Sequence, residues 1–251
     1  MIEVKNIHKS FGEQHVLQDI CCRFEDGKNN LIIGRSGSGK TVLLKCLIML
    51  HKPEAGEIEY DGRPLLNLSR KELIKLRQEI GVLFQGSALF DSMTVADNVE
   101  FPLRMFSDMI AIEREKRMKY CLERVNLPQA LDKYPSELSG GMQKRVAIAR
   151  AIALNPKYLF CDEPNSGLDP QTSLVIDKLI DDITKEYDIT TVVNTHDMNS
   201  VLGIGDNITF LHKGKVEWVG HKENILENKN EALQEFLFSN PILQAVRKYQ
   251  N

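Results

Sequence analysis

The stretch IIGRSGSGKTVLL, from Ile32 to Leu44, places glycines and serines around one lysine between two apolar runs. Its residues 34–41 fit the pattern G-x-x-x-x-G-K-[ST]. Because glycine carries no side chain, successive backbone N–H groups can point into an anion-binding nest, and the following helix adds the positive end of its dipole. The stretch therefore predicts a phosphate-binding loop between a buried strand and a helix.

All residues of this loop are candidate nucleotide-binding residues: Gly34, Arg35, Ser36, Gly37, Ser38, Gly39, Lys40 and Thr41. We expect Lys40 to reach the β- and γ-phosphates and the Thr41 hydroxyl to ligate Mg²⁺. A flexible surface turn is the alternative interpretation. The buried strand and the apolar helix on either side of the loop argue against that alternative.

The stretch YLFCDEP, from Tyr158 to Pro164, supplies two acids at the end of another apolar run. Asp162 can hold Mg²⁺, usually through water, and Glu163 can polarise a water for in-line attack on a γ-phosphate. Taken alone, such a pair is more often an ordinary strand end. Together with the phosphate loop, it predicts a nucleoside triphosphatase.

A third apolar run, TTVVNT from Thr190, ends at His196. In open parallel sheets, ligands bind beyond the carboxyl ends of the strands. We therefore expect the phosphate loop, the two acids and His196 to share one crevice.

The remaining patterns predict the organisation around these strands. Short alternating runs in residues 1–26 predict antiparallel strands, and Lys213–Lys215 predicts the turn of a final hairpin. Residues 85–156 are mostly helical in pattern, with breaks expected at three prolines: Pro102, Pro128 and Pro135. Within them, the run IEREKRMKYCLERV from Ile112 alternates charge at helical spacing, which is typical of a solvated helix face.

The stretch ELSGGMQKRVAIARAIAL, from Glu137, places a glycine pair at the start of a helix. The free N–H groups of Gly140 and Gly141, with the Ser139 hydroxyl, could bind a γ-phosphate. Taken alone, this pattern more often marks an ordinary capped helix.

The order of these motifs resembles that of the ATP-binding cassette (ABC) ATPases. LSGGMQ lies after the phosphate loop and before DEP, and further elements match: Phe11, Gln85 in VLFQ, SGLD at 166–169, and His196. The resemblance covers roughly residues 1–220. It implies an α/β fold of the ABC ATPase type, with a mostly parallel phosphate-loop sheet core, an antiparallel β subdomain and an inserted helical subdomain.

The resemblance also implies domain bounds. The ATP-binding domain would occupy residues 1–221, with the helical insertion at about 86–156. Beyond the resemblance, apolar residues at helical spacing from about Lys222 predict a helical tail over residues 222–251. This tail is either a dimerisation or docking element or a helix packed on its own domain.

A role for each matching residue follows from the same resemblance. Phe11 would stack on adenine, Gln85 would ligate Mg²⁺ and take part in catalysis, and His196 would contact the γ-phosphate. Asp169 would shape the dimer interface and the water geometry. Three positions depart from the commoner family residues without removing a phosphate donor: Phe11, Met142 and Asn165.

ABC ATPases work as pairs of cassettes that meet head to tail. Each ATP lies between the phosphate loop of one copy and the Ser139, Gly140 and Gly141 positions of the other. The resemblance therefore implies ATP and Mg²⁺ as cofactors, a homodimer, and an integral membrane permease as partner. ATP closes the dimer and hydrolysis opens it, which would drive the permease.

The charge of the chain gives no general attraction to nucleic acid. The net charge is -3 and the pI is about 6.1, without a basic stripe, so we expect no nucleic-acid partner. The 5 cysteines have no metal-like spacing and are expected to be reduced thiols in a cytosol. No segment approaches the roughly 18 apolar residues that span a bilayer. We therefore expect a cytoplasmic protein, held on the inner face of the cytoplasmic membrane by a permease.

The segment FQGSALFDSMTVADNVEFPL, from Phe84, lies where the family couples to its permease. The string ALFDSMTVADNV resembles the Mla-type cassettes, which energise transport of phospholipids or other lipids between membranes. That resemblance implies lipid transport, with a small regulatory subunit and a lipid-binding partner. Two alternatives stay open: a cassette for another substrate, such as an amino acid importer or a lipoprotein extractor, and a soluble ABC protein without a transport role.

Overall fold

The computed structural model describes residues 1–239 and 243–244. The strands are β1 (Ile2–Phe11), β2 (Gln14–Phe24), β3 (Asn29–Ile33), β4 (Ala55–Tyr60), β5 (Arg63–Pro64), β6 (Ile80–Leu83), β7 (Tyr158–Asp162), β8 (Thr190–Thr195), β9 (Asn207–His212) and β10 (Lys215–Gly220). The α-helices are α1 (Lys40–Leu47), α2 (Arg70–Gln78), α3 (Val95–Phe106), α4 (Ala111–Arg124), α5 (Gly140–Ala151), α6 (Pro170–Glu186), α7 (Met198–Ile204) and α8 (Glu231–Leu237). Across these described residues, we find no helix with the length and apolarity needed to cross a membrane.

The chain divides into two compact units, which are described separately below. The first unit comprises residues 1–68 and the described residues from 192 onward, and the second unit comprises residues 69–191. Strand β8 carries the chain from the second unit back into the first.

An antiparallel sheet occupies the start of the first unit, in the strand order β2-β1-β4-β5. Ile2, Val4 and Ile7 of β1 are buried, whereas the residues between them are more exposed. Phe11 pairs with Gln14 across the turn that joins β1 to β2. The antiparallel strands predicted for residues 1–26 are therefore confirmed.

The first unit contributes four strands to a second sheet, in the order β10-β9-β3-β8. Every residue of β3 is buried: Leu31, Ile32 and Ile33 as their apolar run predicts, and also Asn29 and Asn30. Strand β9 runs parallel to β3, and β10 runs antiparallel to β9. Lys213 and Gly214 form the turn between β9 and β10, which confirms the predicted hairpin.

Helix α1 follows β3 after the phosphate loop and is largely buried. Its apolar face consists of Leu43, Leu44, Cys46 and Leu47. The helix ends before the apolar pattern does, because Met49 adopts a left-handed conformation with a φ of 55°. The Lys45 carbonyl accepts hydrogen bonds from Leu50 N and His51 N, at 2.8 and 3.0 Å, which closes this helix end.

The second unit contains a parallel pair of strands, β6 and β7. Ile80 pairs with Tyr158, and Leu83 pairs with Cys161. Every residue of β7 is buried. Because the strands are parallel, their carboxyl ends lie at the same edge, so Gln85 and Asp162 follow neighbouring strand ends.

Helix α4 of the second unit carries the predicted solvated face. Met118, Cys121 and Leu122 are its buried residues. Lys119 and Glu115 form an exposed ion pair at 2.6 Å on the other side. The alternating charges therefore belong to a solvated helix face, as predicted.

The break predicted at Pro102 is wrong, because α3 continues through this residue to Phe106. Proline removes one backbone hydrogen bond from a helix. Two features of α3 offset the lost hydrogen bond. Thr94 and Asp97 form a capping box at the helix start, and Val95, Val99 and Leu103 are buried on one face of the helix. The other two prolines do lie outside α-helices, at the start of short 3₁₀ turns: Pro128 and Pro135.

The described part of the tail packs on the first unit. Helix α8 buries Leu233, Phe236 and Leu237. The Phe236 ring lies 5.4 Å from the ring of Phe210 in β9. Residues 240–242 and 245–251 of the predicted tail lie outside the described residues. The bounds predicted for the domain (1–221), its helical insertion (about 86–156) and its tail (222–251) stay predictions.

Candidate functional site

Two glycines of the phosphate loop lie where no side chain fits. A Cβ at Gly34 would lie 2.3 Å from the carbonyl oxygen of Leu211, and a Cβ at Gly39 would lie 2.8 Å from Cδ2 of Leu17. Both glycines also have positive φ, of 154° and 107°, which other residues rarely adopt. The loop therefore requires glycine for packing as well as for access to its backbone N–H groups.

The Lys40 side chain lies along the inside of the loop. It is only 7% exposed. Its Nζ donates to the carbonyl oxygens of Gly34 and Arg35, at 2.9 and 3.4 Å. The ammonium is therefore held beside the backbone groups that are predicted to bind phosphate.

The Ser38 hydroxyl provides a test of whether phosphate fits. Its Oγ is buried and has no hydrogen-bond partner within the described residues. A buried hydroxyl without a partner is costly, and a phosphate oxygen would accept its hydrogen bond. The loop therefore fits a bound phosphate group.

A distant residue, Gly214, supports the loop from the turn between β9 and β10. Its N–H donates to the Ser38 carbonyl at 3.2 Å, and its carbonyl accepts from Gln18 N at 2.8 Å. A Cβ at Gly214, where φ is 76°, would lie 2.4 Å from the carbonyl oxygen of Val16. The sequence marks Gly214 only as a turn glycine, so its support of the loop was missed.

We expect Gly214→Ala to weaken both folding and nucleotide binding. The Cβ must displace backbone, so the free energy of unfolding should fall by about 2 kcal/mol, and the Kd for an ATP analogue should rise about tenfold. Thermal unfolding and fluorescence titration measure the two effects. Gly62→Ala is the matched control, because Gly62 also has positive φ (+73°) but nothing lies within 4 Å of its added Cβ. Equal effects of both changes would show that the contact with Val16 is unimportant.

Phe11, the predicted adenine-stacking residue, is 45% exposed at the end of β1. Lys9 Nζ lies 5.2 Å from the centre of its ring. The His51 ring meets Phe11 edge-on, with centroids 5.3 Å apart and planes at 73°. The ring is thus positioned by two neighbours while much of it stays accessible. Adenine stacking on Phe11 remains a prediction.

Three further loop residues and His196 lie at the surface of the first unit, whereas Thr41 is half-buried. Arg35, Ser36 and Gly37 are exposed, and Arg35 forms an ion pair at 3.3 Å with Glu235 of α8. Because both side chains are well exposed, this ion pair contributes little stability. His196 is exposed directly after β8, where Asp197 caps α7 by accepting a hydrogen bond from Asn199 N at 2.9 Å.

In the second unit, the two predicted acids differ in environment. Asp162 ends β7 and is only 5% exposed. Glu163 is half-buried and has a φ of 48°, in the left-handed region. Its carbonyl accepts from Ser166 N at 3.1 Å, which closes the turn after the strand. Backbone strain of this kind in a bulky residue is concentrated at functional sites.

Gln85 and a buried lysine, Lys144, lie together in the second unit. Gln85 Nε2 donates to Ser166 Oγ at 3.1 Å, and Lys144 Nζ donates to the Gln85 carbonyl. Lys144 is 4% exposed. Burial lowers its pKa, and the negative charges of Asp162 and Glu163 oppose that shift. The signal in the sequence that indicates Lys144 is a cation among the apolar positions of a helix.

The predicted second anion site lies at the start of α5. Ser139 caps the helix, because its Oγ accepts from Met142 N at 3.3 Å. A Cβ at Gly141 would lie 2.5 Å from Cγ2 of Thr172, so close packing also requires this glycine. Ser139 and Gly140 are exposed in the single chain. The capped-helix interpretation is therefore correct for the single chain, and anion binding here stays a prediction.

Asp169 caps the start of α6. Its Oδ1 accepts from Gln171 N and Thr172 N, both at 3.0 Å, and its Oδ2 accepts from Thr172 Oγ1 at 2.5 Å. The bond from the Thr172 hydroxyl is the main cause that lowers the pKa of Asp169. Thr172 therefore contacts both Gly141 and Asp169, a link that the sequence did not indicate.

Comparison with known proteins identifies similar sequences and structures. A family model described as "ABC transporter" matches residues 17–166. That range includes the phosphate loop, Gln85, the Ser139–Gly141 segment and both acids.

Two curated relatives match nearly the whole chain. The "Probable ribonucleotide transport ATP-binding protein mkl" of Mycobacterium leprae is 39% identical over 94% of this chain and 68% of the relative. The "Methionine import ATP-binding protein MetN 1" of Oceanobacillus iheyensis is 41% identical over 93% of this chain and 70% of the relative. The chain thus spans about two thirds of the length of these relatives.

A solved structure shares the fold. The ATP-binding cassette MJ0796, described as dimeric in a post-hydrolysis state with ADP and Pi, is 36% identical, with a TM-score of 0.80. The match covers 88% of this chain and 99% of that one. The α/β fold predicted from the motifs is therefore confirmed.

Proposed function

Because this chain belongs to the ABC transporter family, whose cassettes are ATPases, we propose that it is the ATP-hydrolysing subunit of a membrane transporter. The observation that carries the proposal is the phosphate loop, in which the buried Ser38 hydroxyl has no hydrogen-bond partner in the described part of the chain. Asp162 at the end of β7 and Glu163 directly after it supply the second requirement of a triphosphatase.

The loop residues 34–41 bind the triphosphate in this proposal. Their backbone N–H groups and the Lys40 ammonium neutralise the phosphate charge, and the Ser38 hydroxyl gains the hydrogen bond that it lacks. Phe11 stacks on adenine through its exposed ring. Gly34 and Gly39 support this assignment, since their positive φ gives the loop a backbone shape that other residues rarely adopt.

Glu163 is the proposed general base. Its carboxylate accepts a proton from water while the water oxygen bonds to the γ-phosphorus and the bond from that phosphorus to the bridging oxygen of ADP breaks. The left-handed backbone at Glu163 supports this role. His196 contacts the γ-phosphate in the same proposal.

Mg²⁺ would be held by Thr41, Gln85 and Asp162. Hydroxyl, amide and carboxylate oxygens are the kind of ligand that Mg²⁺ prefers. The hydrogen bond from Gln85 Nε2 to Ser166 leaves the Gln85 amide oxygen for a cation. When bound, the ion would neutralise charge on the β- and γ-phosphates.

We further propose that two copies of the chain share each ATP. The exposed Ser139 and Gly140 of one copy, with Gly141, would contact the γ-phosphate held by the other copy, and Asp169 would lie at the interface. The dimeric state of MJ0796 supports this arrangement. Hydrolysis would remove the group that both copies hold and so open the dimer.

The proposed partner is an integral membrane permease, which would hold the chain on the inner face of the cytoplasmic membrane. A groove of about 320 Å³ in the second unit supports docking, and its rim includes the 41% exposed Phe90. The groove is lined mainly by apolar side chains, among them Val82, Phe84, Phe90, Phe101 and Pro102.

Two cargoes have specific support. The ALFDSMTVADNV segment, which resembles Mla-type cassettes, favours phospholipid or another lipid, with a regulatory subunit and a lipid-binding partner. The identity to the methionine import and ribonucleotide transport proteins favours a small polar solute instead. We propose lipid as the first cargo to test and an amino acid as the second.

Purification of the tagged chain with its membrane partners in mild detergent tests these proposals. Mass spectrometry of bound proteins and lipids should find a permease with phospholipid and a lipid-binding protein. A permease with a solute-binding protein but no enriched lipid would support the amino acid alternative. Repeated absence of any membrane protein would overturn the transport proposal and leave the ATPase assignment.

We expect Ser139→Arg to suppress hydrolysis at least about a hundredfold while a single chain still binds nucleotide. The long cation would block the contact with the second copy without touching the phosphate loop. Phosphate release and fluorescence titration measure the two effects. Ser69→Arg is the control, because Ser69 also caps a helix of the second unit, accepting from Glu72 N. Loss of nucleotide binding by the monomeric Ser139→Arg variant would contradict the shared-site model.

A further inference from the structure

The loop after β6 contains two successive residues in a conformation that both disfavour. Ser87 has a φ of 60° and Ala88 a φ of 49°, and neither is glycine. Left-handed backbone at such residues persists only where surrounding contacts hold it. This Gln85–Ala88 loop therefore needs a partner that stabilises it.

Arg150 of α5 provides that stabilisation. Its Nη2 donates to the Ser87 carbonyl at 2.8 Å, and its Nη1 donates to the Ala88 carbonyl at 2.7 Å. The planar fork of the guanidinium thus bonds both strained residues at once. The amides of the same two residues donate within the loop, to the carbonyls of Phe84 and Gly86 at 2.9 and 2.6 Å.

The partly buried environment of the Arg150 guanidinium strengthens its two hydrogen bonds to the loop. Burial lowers the pKa of its guanidinium, so the cation is poorly hydrated and relies on the two carbonyls. Its guanidinium lies 5.9 Å from the centre of the Phe90 ring. Arg150 also lines the groove that contains Phe90. It therefore lies between the groove and the backbone of the loop.

The same helix holds the other end of the loop. Lys144, which is nearly fully buried, donates to the Gln85 carbonyl. The Gln85 side chain then donates to Ser166, three residues after Glu163. Two cations of α5 therefore fix the loop backbone from which the Gln85 amide projects.

We propose that Arg150 is a positioning residue that keeps the Gln85–Ala88 loop in its left-handed turn and so sets the direction of the Gln85 amide. The inference rests on the proposed function for one point only, the action of Gln85 on bound Mg-ATP. A lysine at position 150 would keep the charge but could not bond both carbonyls in one plane. The fork geometry, and not the charge, is therefore the required property.

Arg150→Lys tests the proposal through a readout that does not depend on activity. Hydrogen exchange of the Ser87 and Ala88 amides in the full chain should become about tenfold faster, because the strained turn opens more often. Arg145→Lys is the matched control: Arg145 lies on the same helix but donates to the carbonyls of Val125 and Asn126. It should leave exchange in the loop unchanged. Unchanged exchange in Arg150→Lys, or an equal increase in Arg145→Lys, would overturn the proposal.

Steady-state kinetics give a second readout. Arg150→Lys should lower kcat for ATP about tenfold, whereas KM should change less than about twofold, because the phosphate loop is untouched. Addition of Ala88→Gly to Arg150→Lys should restore most of both the loop protection and kcat, since glycine accepts positive φ without strain. A role of Arg150 in packing alone would not be rescued by a glycine in the loop, so failure of the rescue also contradicts the proposal.

The two readouts separate this inference from the proposed function. If the wild-type chain hydrolysed no ATP, the ATPase proposal would fail, while the exchange experiment would still test whether Arg150 holds the loop. If exchange responded as expected but kcat did not, the positioning of Gln85 would be refuted and the ATPase proposal would stand.

Discussion

Lys40→Ala should lower ATP hydrolysis by about a hundredfold to a thousandfold, since one preorganised donor to transition-state charge is commonly worth that much. The ammonium lies inside the loop beside the Gly34 and Arg35 carbonyls, so alanine removes positive charge from the phosphate site. Phosphate release by the purified variant is the measurement. Lys45→Ala, at the other end of the same helix, is the control and should retain wild-type turnover.

Turnover at the wild-type rate in Lys40→Ala would refute the phosphate-loop assignment. Because Lys40 is buried, its removal can also destabilise the chain. Thermal unfolding of the variant therefore accompanies the assay, and a folded but inactive variant is the result that supports the assignment.

Glu163→Gln should hydrolyse ATP about a hundredfold to ten-thousandfold more slowly, which is the usual contribution of a general base. Glutamine keeps the size of the side chain but cannot accept the proton from water. ATP should still bind, so the variant should accumulate as a closed dimer in saturating Mg-ATP. Light scattering measures the dimer, and phosphate release measures the rate.

The control for Glu163→Gln is Glu115→Gln, which changes an exposed glutamate of the same unit. It should have wild-type kinetics and no added dimer. A Glu163→Gln variant that stays monomeric in saturating Mg-ATP, both alone and with its membrane partner, would contradict the shared-site model. One with wild-type hydrolysis would contradict the role of Glu163.

The elements that could be predicted from the sequence are those with a strong local pattern. β3 and β7 each contain a continuous apolar run, and every residue of both strands is buried. The phosphate loop has a recognisable motif between such a strand and a helix. β6 was missed because it is short and contains Gly81, which resembles a turn residue. Glycine is needed there since a Cβ would lie 2.5 Å from the Ala151 carbonyl oxygen.

Helix α6 was also missed, although its start carries two recognisable signals. Asp169 is a good N-cap, and Pro170 occupies the first helical position. Asp169 follows the DEP motif closely, and the sequence analysis assigns it only to the candidate site. A functional interpretation of one residue therefore concealed its structural role as a cap.

The supporting residues of the site could not be predicted from local pattern. Gly214, Lys144 and Arg150 act on main-chain carbonyls of Ser38, Gln85 and the Gln85–Ala88 loop. A carbonyl is present at every residue, so the sequence does not reveal which one a distant donor will reach. Their partners become apparent only once the fold brings the segments together.

The hydrogen bond from Gly214 to the phosphate loop also affects the order in which parts of the first unit can fold during translation. The GRSGSGKT motif leaves the ribosome early, but the turn that holds the Ser38 carbonyl is made only after the whole second unit. Domains fold as units as the chain emerges, and contacts between distant segments form last. A nascent chain that ends before residue 214 would therefore carry the complete motif without the hydrogen bond that supports its loop. We expect ATP to stabilise the first unit only after translation has passed residue 214.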